Sequence, residues 1–386
     1  MSSALIRGHI IELCPNNVQA THLSKACGIA RLSYNWALAE WQNQFQADKA
    51  YRDDCLKQGI EIDKEKLNAP TQGKLRKQLN AIKREQFPYM LEVTKCSPQL
   101  AIMQLGDAFK RFFNGQGKYP QFRKKGVDDR FSLSNDQFRV TEKQIKIPNL
   151  GFVKMREKLR FNGKILSAKV FRRGTKWFVS IAVELAELPK PKPQTGQAIG
   201  IDLGISNLAT LSNGEVKPSL NALRYKLRKL RRESKALSRK QKGSKNRAKA
   251  KTKLGKLHYQ IWCLRQNYLH QFTTELVEKY DEICIEDLNV QGMMKNRKLA
   301  RAIADVGFYE FKRQLIYKAN QCGKLVKSVG RFFASSKTCS VCDEVYQDLT
   351  LSMRSWQCKQ CDAVHDRDIN AAKNILHYAD KVLTAA

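Results

Sequence analysis

In three segments between Pro15 and Gly115, hydrophobic residues recur every three or four residues, a spacing that places them on one side of a helix. The longest of these stripes comprises Leu23, Cys27, Ala30, Tyr34, Leu38, Trp41 and Phe45. A polar connection then extends to about residue 73. The other predicted elements are a strand at residues 4 to 13, a helix at 74 to 86, and a helix that Ser97 and Pro98 begin and that ends near Gly115. Residues 15 to 115 are therefore predicted to form a helical module.

Beyond residue 118 hydrophobic and polar residues alternate, as they do in strands that have one buried face. The predicted strands are residues 131 to 140, 143 to 148, 151 to 156, 165 to 173 and 176 to 185. The last two should form a hairpin that turns near Arg173 and Gly174. This pattern predicts a basic antiparallel barrel or sheet. Residues 186 to 197 then carry three prolines in a polar run, which predicts a linker and a domain boundary.

After the linker the pattern predicts a mixture of strands and helices. A buried strand bearing Asp202 is followed by a second strand and by a turn at Asn213 and Gly214. Two helices joined by a basic connection should follow, with a break near Gly243. The remaining predicted elements are a strand at residues 281 to 288, a helix from about Leu299 to Gln321 that Gly323 ends, a strand at 324 to 333, and a terminal helix with apolar positions Ile369, Ala372, Ile375 and Ala379.

The net charge of the chain indicates which class of partner it binds. The 386 residues include 70 lysines and arginines and 36 aspartates and glutamates, a net charge of +34. Such an excess predicts a polyanionic partner, and nucleic acid is the leading candidate. An anionic membrane surface is the alternative, but no window approaches a membrane-spanning length and no signal peptide opens the sequence. We therefore expect a soluble protein of the cytosol, with no membrane partner.

Four cysteines near the end of the chain have the spacing of a metal site. Cys339, Cys342, Cys358 and Cys361 form two Cys-x-x-Cys pairs, as in four-cysteine zinc sites. Four thiolates leave no open coordination position, so a structural zinc is favoured over a catalytic one. His365 is expected to be a neighbour of this site rather than a further ligand. Trp356, between the pairs, is expected to cover it.

Three acidic residues form a second candidate site. Asp202 and Glu286 lie on predicted buried strands, and Asp368 lies at the start of the terminal helix. Taken singly, they could be a strand-end turn residue, a half-exposed acid and a helix N-cap. Together, in so basic a chain, they indicate divalent-cation chemistry, because hard oxygen ligands suit Mg²⁺. Two such ions can stabilise both the attacking and the leaving oxygen of a phosphodiester.

Basic and aromatic segments are candidates for nucleic-acid contact. Residues 224 to 256 form a basic run, for which a solvated face, a disordered arm or a targeting segment is the alternative. Residues 119 to 126 mix aromatic with basic side chains and suit stacking with phosphate contact, although a surface loop would look similar. The individual candidates are Tyr119, Arg123, Lys124, Lys125, Arg228, Arg231, Arg232 and Arg354.

Seven segments carry a resemblance to a known family. They are RLSYNWAL at 31 to 38, YPQFRKKG at 119 to 126, GIDLGISNLATL at 200 to 211, IEDL at 285 to 288, FKRQLIYKA at 311 to 319, SSKTCSVC at 335 to 342 and HDRDINAAKNI at 365 to 375. On these segments the chain resembles the TnpB proteins, transposon-encoded RNA-guided DNA nucleases related to the type V CRISPR effectors.

The resemblance implies a multidomain α+β protein with a RuvC-type nuclease domain of RNase H-like fold. Asp202, Glu286 and Asp368 occupy the positions of the family's acidic triad, with Asp368 preferred to Asp366 as the catalytic acid. The implied domains are a wedge-like β-barrel at 1–14 and 116–190, a helical recognition domain at 15–115, a nuclease domain at 191–334 and 364–386, and a zinc-binding insertion at 335–363. The sequence departs from the family at Asp343 and Asp362, where glycine is usual; aspartate tolerates the left-handed backbone conformation better than most residues.

The hypothesis from the sequence is an RNA-guided DNA endonuclease of a bacterial or archaeal cytosol. Its implied partners are a guide RNA from the transposon end and double-stranded target DNA, and its implied cofactors are Mg²⁺, replaceable by Mn²⁺, and one structural Zn²⁺. A short motif beside the target would be read by the N-terminal half. The alternatives are an RNA-guided repressor whose nuclease site is idle, and an autonomous transposase that uses the same acids.

Overall fold

The computed structural model describes residues 5–185, 193–220, 222–331, 333–350 and 352–384. The chain divides into two compact units, Met1–Leu188 and Pro189–Ala386. This division falls inside the proline-rich segment that the sequence predicts as a linker. Residues 186 to 192 of that segment lie outside the described residues.

The helices of the first unit are α1 (Asn17–Gln58), α2 (Gln72–Gln86) and α3 (Cys96–Phe113). Asn16 caps α1, and Gly59, with a φ of 67°, ends it. Helix α1 is longer than predicted, because it continues where a polar connection was expected. Phe45 is 57% exposed, so the apolar stripe stops before the helix does. The last turns of α1 are stabilised by helix-favouring residues and by the buried side chains of Asp48 and Cys55.

The start of α3 differs from the prediction that Ser97 caps it. The helix begins at Cys96, with Lys95 in the N-cap position. The Thr94 hydroxyl accepts a hydrogen bond from the Cys96 nitrogen at 3.3 Å. Ser97 is 1% exposed, and its hydroxyl donates to the Ala26 carbonyl of α1 at 3.2 Å. Ser97 therefore joins two helices instead of capping one.

Antiparallel sheets complete the first unit, with strand orders β1-β7-β6-β2 and β3-β4-β5. The strands are β1 (Ile6–Leu13), β2 (Arg130–Ser134), β3 (Arg139–Thr141), β4 (Gln144–Ile147), β5 (Gly151–Lys154), β6 (Gly163–Arg173) and β7 (Lys176–Leu185). The predicted hairpin is confirmed, since Arg173 pairs with Lys176 and Gly174 has a φ of 61°.

The closed barrel is not formed by the strands that the structure describes. Residues 131 to 140 were expected to be one strand, but a 3₁₀ turn at Asn135–Gln137 separates β2 from β3 and interrupts the ladder. An isolated bridge between Leu13 and Met155 connects the edge strand β1 to the segment after β5. The result is an open antiparallel sheet with a smaller sheet attached at one edge.

The sheet of the second unit has the order β10-β9-β8-β11-β12. Strands β8, β9 and β10 are antiparallel, whereas β11 runs parallel to both β8 and β12. The strands of this unit, with the two that flank the second cysteine pair, are β8 (Ala198–Asp202), β9 (Asn207–Leu211), β10 (Val216–Pro218), β11 (Glu282–Glu286), β12 (Leu325–Val329), β13 (Ser355–Gln357) and β14 (Val364–Asp366). The predicted strands that bear Asp202 and Glu286 are confirmed and lie side by side.

The helices of the second unit are α4 (Ala222–Ser238), α5 (Lys245–Lys279), α6 (Val290–Met293), α7 (Ala300–Val306), α8 (Phe308–Cys322) and α9 (Arg367–Thr384). The predicted break between two helices is confirmed, and Leu257 and Ile261 of α5 pack against leucines of α4. The single helix predicted from Leu299 to Gln321 is wrong, because Gly307, with a φ of 80°, separates α7 from α8. None of the described helices is long and apolar enough to cross a membrane.

Candidate active site and zinc segment

Asp202 and Glu286 lie at the carboxyl ends of neighbouring parallel strands. Ile201 of β8 pairs with Ile285 of β11, so the next residue of each strand is an acid at the same edge of the sheet. In both strands three buried residues precede the partly buried acid. The two carboxylates therefore stand where the core of the sheet opens to a crevice.

Helix α9 brings Asp368 to this edge because it packs directly on β8. A Cβ atom at Gly200 of β8 would overlap the carbonyl oxygen of Ala372 and lie 2.9 Å from the nitrogen of Leu376. Only glycine permits so close an approach of helix to strand. Asp368 lies in the first turn of α9. The contact at Gly200 thus sets the position of the third acid.

The two acids at the start of α9 have different partners. Asp366 Oδ1 accepts hydrogen bonds from the backbone nitrogens of Asp368 and Ile369, both at 3.0 Å, and so caps the helix. Asp368 Oδ1 accepts from Arg367 Nη2 at 3.0 Å, and its Oδ2 accepts from Arg354 Nη1 at 3.5 Å. The capping role that the sequence left open for Asp368 belongs to Asp366.

The three acids line one open cleft of about 370 Å³. Burial raises the pKa of Asp202, with further contributions from the negative charges of Glu286 and Asp368, to about 7. Clustered carboxylates whose charges disfavour one another are stabilised by a bound cation. Hard carboxylate oxygens are the ligands that Mg²⁺ prefers, so the donor set of Asp202, Glu286 and Asp368 fits that ion.

The carboxylates share the cleft without converging on one point. Among the described residues, one group of His, Cys, Asp or Glu side chains has all its ligand atoms within 4.8 Å of one another, and that group is the four cysteines. The acids are therefore spaced more widely than the thiols.

The cysteines converge as their spacing predicts. Cys339 and Cys361 have their sulfur atoms 3.6 Å apart, as do Cys342 and Cys358. A tetrahedron of thiolates around zinc has edges of about 3.8 Å. The cluster fits a structural zinc ion with four thiolate ligands.

Each cysteine pair closes a tight turn with an aspartate in the left-handed conformation. Asp343 and Asp362 have φ angles of 62° and 56°. Asp343 donates its backbone N–H to the carbonyl of Cys339 at 3.0 Å, and Asp362 donates to that of Cys358 at 3.1 Å. The expectation that aspartate is accommodated in place of glycine is confirmed.

The strands β13 and β14 flank the second cysteine pair. Trp356 of β13 is 5% exposed and packs in the cluster of cysteines, as predicted. His365 of β14 lies opposite Trp356, and its Nε2 is 3.1 Å from the Cys339 sulfur, as expected of a neighbour of the metal site. Because β14 ends at Asp366, the part of the chain that holds the four cysteines, residues 335–366 (the zinc segment), leads directly into the first turn of α9.

The candidates for nucleic-acid contact fall into two groups. Arg123 lies 3.8 Å above the ring of Tyr34, and Tyr119 packs edge-on against Phe109 and Phe112 at 5.5 and 5.3 Å. These two side chains take part in packing within the first unit. The candidates that are exposed and make no such packing contacts are Lys124, Lys125, Arg228, Arg231, Arg232 and Arg354.

Several residues of the site are not among those predicted from the sequence. Ser335 donates a hydrogen bond to Glu286, and Asn370 and Asn374 of α9 are buried and bound to the zinc segment. A signal was present, since two asparagines four residues apart on an otherwise apolar helix face must find partners when buried. Gly200 was a second signal, as a glycine within a buried strand.

Family models match three parts of the chain. A model described as "Probable transposase" matches residues 180–297, one described as "Cas12f1-like, TNB domain" matches 308–375, and one described as "Helix-turn-helix domain" matches 1–50. In the structure, the described part of residues 1–50 contains β1 and the beginning of α1 instead of two helices joined by a turn.

Curated relatives match along most of the chain. A protein of Streptomyces pristinaespiralis named "Putative RNA-guided DNA endonuclease" is 34% identical over 94% of this chain and 86% of its own length. The "Putative RNA-guided DNA endonuclease InsQ" of Escherichia coli strain K12 is 29% identical over 96% of this chain and 92% of its own. A "TnpB-like protein" of Acanthamoeba polyphaga mimivirus is 33% identical over 34% of this chain and 26% of its own.

Among solved structures, the cryo-EM structure of a Cas12f1–sgRNA–target DNA complex has a similar fold. Its TM-score is 0.50 at 15% identity, and the match covers 92% of this chain and 82% of that one. At this identity the similarity concerns the fold alone. The family rests on the curated relatives, whose identity and coverage extend over both units. The chain belongs to the TnpB family.

Proposed function

We propose that this chain is an RNA-guided DNA endonuclease that hydrolyses DNA phosphodiesters in the cleft of Asp202, Glu286 and Asp368. Relatives named as RNA-guided DNA endonucleases, matched over most of their length, support the activity. The observation that carries the site is that β8, β11 and α9 bring three acids into one cleft, where the pKa of Asp202 is raised to about 7. In a chain with a net charge of +34, such acids point to divalent cations beside a bound phosphate.

In this proposal the acids hold cations and the neighbouring arginine meets the substrate. When bound, two Mg²⁺ or Mn²⁺ ions would stabilise the attacking and leaving oxygens of the phosphodiester. Arg354, whose side chain is 61% exposed, can exchange its contact with Asp368 for a DNA phosphate.

The sheet of the second unit supports a RuvC-type nuclease domain of RNase H-like fold. Its strand order is mixed, and its acids lie at the carboxyl ends of the two adjacent parallel strands β8 and β11. We assign residues 191–334 and 364–386 to this domain and residues 335–363 to the zinc insertion. The helices at 15–115 would form the recognition domain. The open sheet at 1–14 and 116–190 would replace the expected barrel as the wedge-like domain.

The exposed basic side chains of α4 support a role in binding the nucleic-acid backbone. Arg228, Arg231 and Arg232 are exposed along one helix that pairs with the equally basic α5. Phosphate contacts of this kind give affinity without sequence information. Selection of the target would come from pairing with the guide RNA.

The activity is tested by purifying the protein with the RNA that it retains and sequencing that RNA. DNA matched to the guide segment, with a randomised flanking motif, is then supplied with Mg²⁺. We expect cleavage only when guide and target match, and none by Asp202→Ala. Cleavage that ignores the match, or equal cleavage by Asp202→Ala, would overturn the proposal. Guide-dependent occupancy without cleavage in Mg²⁺ or Mn²⁺ would instead indicate an idle-site repressor.

A transposase is the second candidate, because the model that matches residues 180–297 is described as "Probable transposase". The same carboxylates would then join DNA ends instead of hydrolysing them. A strand-transfer assay on transposon-end DNA separates the two functions. Joined products that need Asp202 would favour the transposase, and hydrolysis products alone would favour the nuclease.

A further inference from the structure

Ser335 connects the zinc segment to one of the acids of the cleft. Ser335 is 6% exposed, and its Oγ donates to Glu286 Oε1 at 2.5 Å. The hydroxyl has a single hydrogen, and an ionised carboxylate has none to give, so that hydrogen is committed to Glu286. One carboxylate oxygen of Glu286 is thereby fixed, while the other is left for the cleft.

Helix α9 holds Ser335 in place through two buried asparagines. Asn374 Nδ2 donates to the carbonyls of Ser335 at 2.7 Å and of Thr338 at 2.6 Å. Asn370 Nδ2 donates to the Thr338 carbonyl at 2.7 Å, and its Oδ1 accepts from the Ser340 nitrogen at 3.0 Å. The asparagines are 2% and 3% exposed, so these bonds are shielded from competing water. The start of the zinc segment is therefore fastened to α9.

The same helix carries Asp368 in its first turn. A chain of contacts consequently runs from Asp368 along α9 to Asn374, then to Ser335 and to Glu286. We propose that Ser335 is a positioning residue that orients Glu286 for cation binding, and that Asn374 fixes Ser335 to the helix bearing Asp368. This inference rests on the proposed function of the cleft as a divalent-cation site. Groups that orient a ligand carboxylate in this way typically change metal affinity by about 10–100-fold when removed.

The test compares Ser335→Ala and Ser335→Cys with wild type, with Ser340→Ala as a control for loss of a hydroxyl in the same segment. Mn²⁺ binding to the zinc-loaded protein is measured by electron paramagnetic resonance. We expect Ser335→Ala to weaken Mn²⁺ binding by about 10–100-fold, with zinc content and target-DNA binding unchanged. Ser335→Cys fills the site with a slightly larger side chain that donates only weakly, so its Mn²⁺ binding should resemble that of Ser335→Ala. Ser340→Ala should match wild type.

A second pair of variants asks whether Ser335 acts through Glu286. Ser335→Thr retains the hydroxyl and should recover most of the Mn²⁺ affinity. Within a Glu286→Ala background, Ser335→Ala should produce little further loss, because the carboxylate on which Ser335 acts is then absent. A full additional loss in that background would contradict the inference.

Wild-type Mn²⁺ binding by both Ser335→Ala and Ser335→Cys would overturn the positioning role. So would a loss seen with alanine and not with cysteine, since that would report a packing defect. If Ser335→Ala melts early, Ser335→Cys decides the question. Wild-type cleavage that depends on Asp202, together with unaltered Mn²⁺ binding by the Ser335 variants, refutes this inference alone. Loss of Mn²⁺ binding in a protein that never cleaves DNA refutes the proposed function alone.

Discussion

At the scale of single residues, Asp202 is held where its charge is unfavourable. Burial and the neighbouring carboxylates raise its pKa from 3.8 to about 7. Because the folded protein then binds this proton more tightly than the unfolded chain, the stability it contributes is present at acid pH and is lost as the pH rises from about 4 through 7. A metal-free protein should therefore be less stable at pH 8 than at pH 5 on account of this residue.

Replacing Asp202 with asparagine removes that charge with little change of shape. In Mg²⁺-free buffer, compared with wild type at the same pH, we expect Asp202→Asn to raise the free energy of unfolding at pH 8 by on the order of 2–4 kcal/mol, and to have little effect at pH 4. Urea unfolding at the two pH values measures this. An equal effect of the substitution at both values would show that Asp202 is not strained by its surroundings.

The left-handed aspartates of the zinc turns offer a second prediction. Alanine at position 362 keeps the positive φ but loses the local polar side chain, so Asp362→Ala should lower the free energy of unfolding by about 1 kcal/mol. Asp362→Gly should be neutral or stabilising, because glycine adopts this conformation without strain. Thermal melting of the zinc-loaded proteins checks whether stability decreases in the order glycine, aspartate, alanine at position 362. Alanine as stable as glycine would contradict it.

At the scale of elements, the cleft depends on how closely α9 approaches β8. Gly200→Ala would force a methyl group into the backbone of α9 and displace Asp368. We expect a loss of about 1–3 kcal/mol in stability, and a loss of DNA cleavage that approaches about 100-fold if Asp368 moves by about 1 Å. Gly330→Ala is the matched control, since a Cβ there meets nothing within 4 Å. Equal stability and equal cleavage by the two variants would show that the close contact at Gly200 does not determine the position of Asp368.

The zinc segment should act on the cleft through structure. Cys358→Ser should release zinc, lower the melting temperature and weaken cleavage, because the segment has little core of its own and leads into α9. Asp368→Ala should abolish cleavage while zinc content and DNA binding stay intact. Metal analysis alongside a cleavage assay distinguishes the loss of zinc in Cys358→Ser from the loss of a carboxylate in Asp368→Ala. Full cleavage by zinc-free Cys358→Ser would show that the two sites are independent.

Local patterns in the sequence were enough for most elements and for the cysteine site. The alternation that predicts β6 and β7 depends on near neighbours along the chain, and the convergence of the four cysteines depends on fixed ligand chemistry. Positions set by tertiary contact were missed. Ser97 has the sequence context of a helix cap but instead donates a hydrogen bond to α1. No pattern in the residues around Ser335 predicts its hydrogen bond to Glu286. The positive φ of Gly307 likewise broke a helix whose apolar pattern runs on.

At the scale of the whole molecule, the net charge of +34 should dominate affinity for nucleic acid. Where that charge sits is a separate question. Neutralising the arginines of α4 with the triple variant Arg228→Gln, Arg231→Gln, Arg232→Gln should weaken binding of guide RNA and DNA. It should also reduce the slope of log affinity against log salt by roughly 0.7–0.9 for each phosphate that the variant no longer neutralises.

The matched control removes the same charge elsewhere. Lys49, Lys57 and Lys64 are exposed residues of the first unit, and changing all three to glutamine leaves the net charge equal to that of the α4 variant. Salt titrations of binding compare the two proteins. Identical slopes would mean that overall charge, and not the surface of α4, determines the binding.

If the acidic cleft cuts DNA, the two aspartates at the start of α9 should differ sharply in their importance for cleavage. Asp366 caps the helix, a role that asparagine fills equally well, whereas Asp368 faces the cleft. The measurement is the rate of cleavage of guide-matched DNA in Mg²⁺ by Asp366→Asn and Asp368→Asn, with target binding measured in parallel. We predict that Asp366→Asn cuts within about tenfold of wild type, and that Asp368→Asn loses at least about 100-fold, which corresponds to about 3 kcal/mol of transition-state stabilisation, without loss of binding. Cleavage by Asp368→Asn at the wild-type rate would contradict the account.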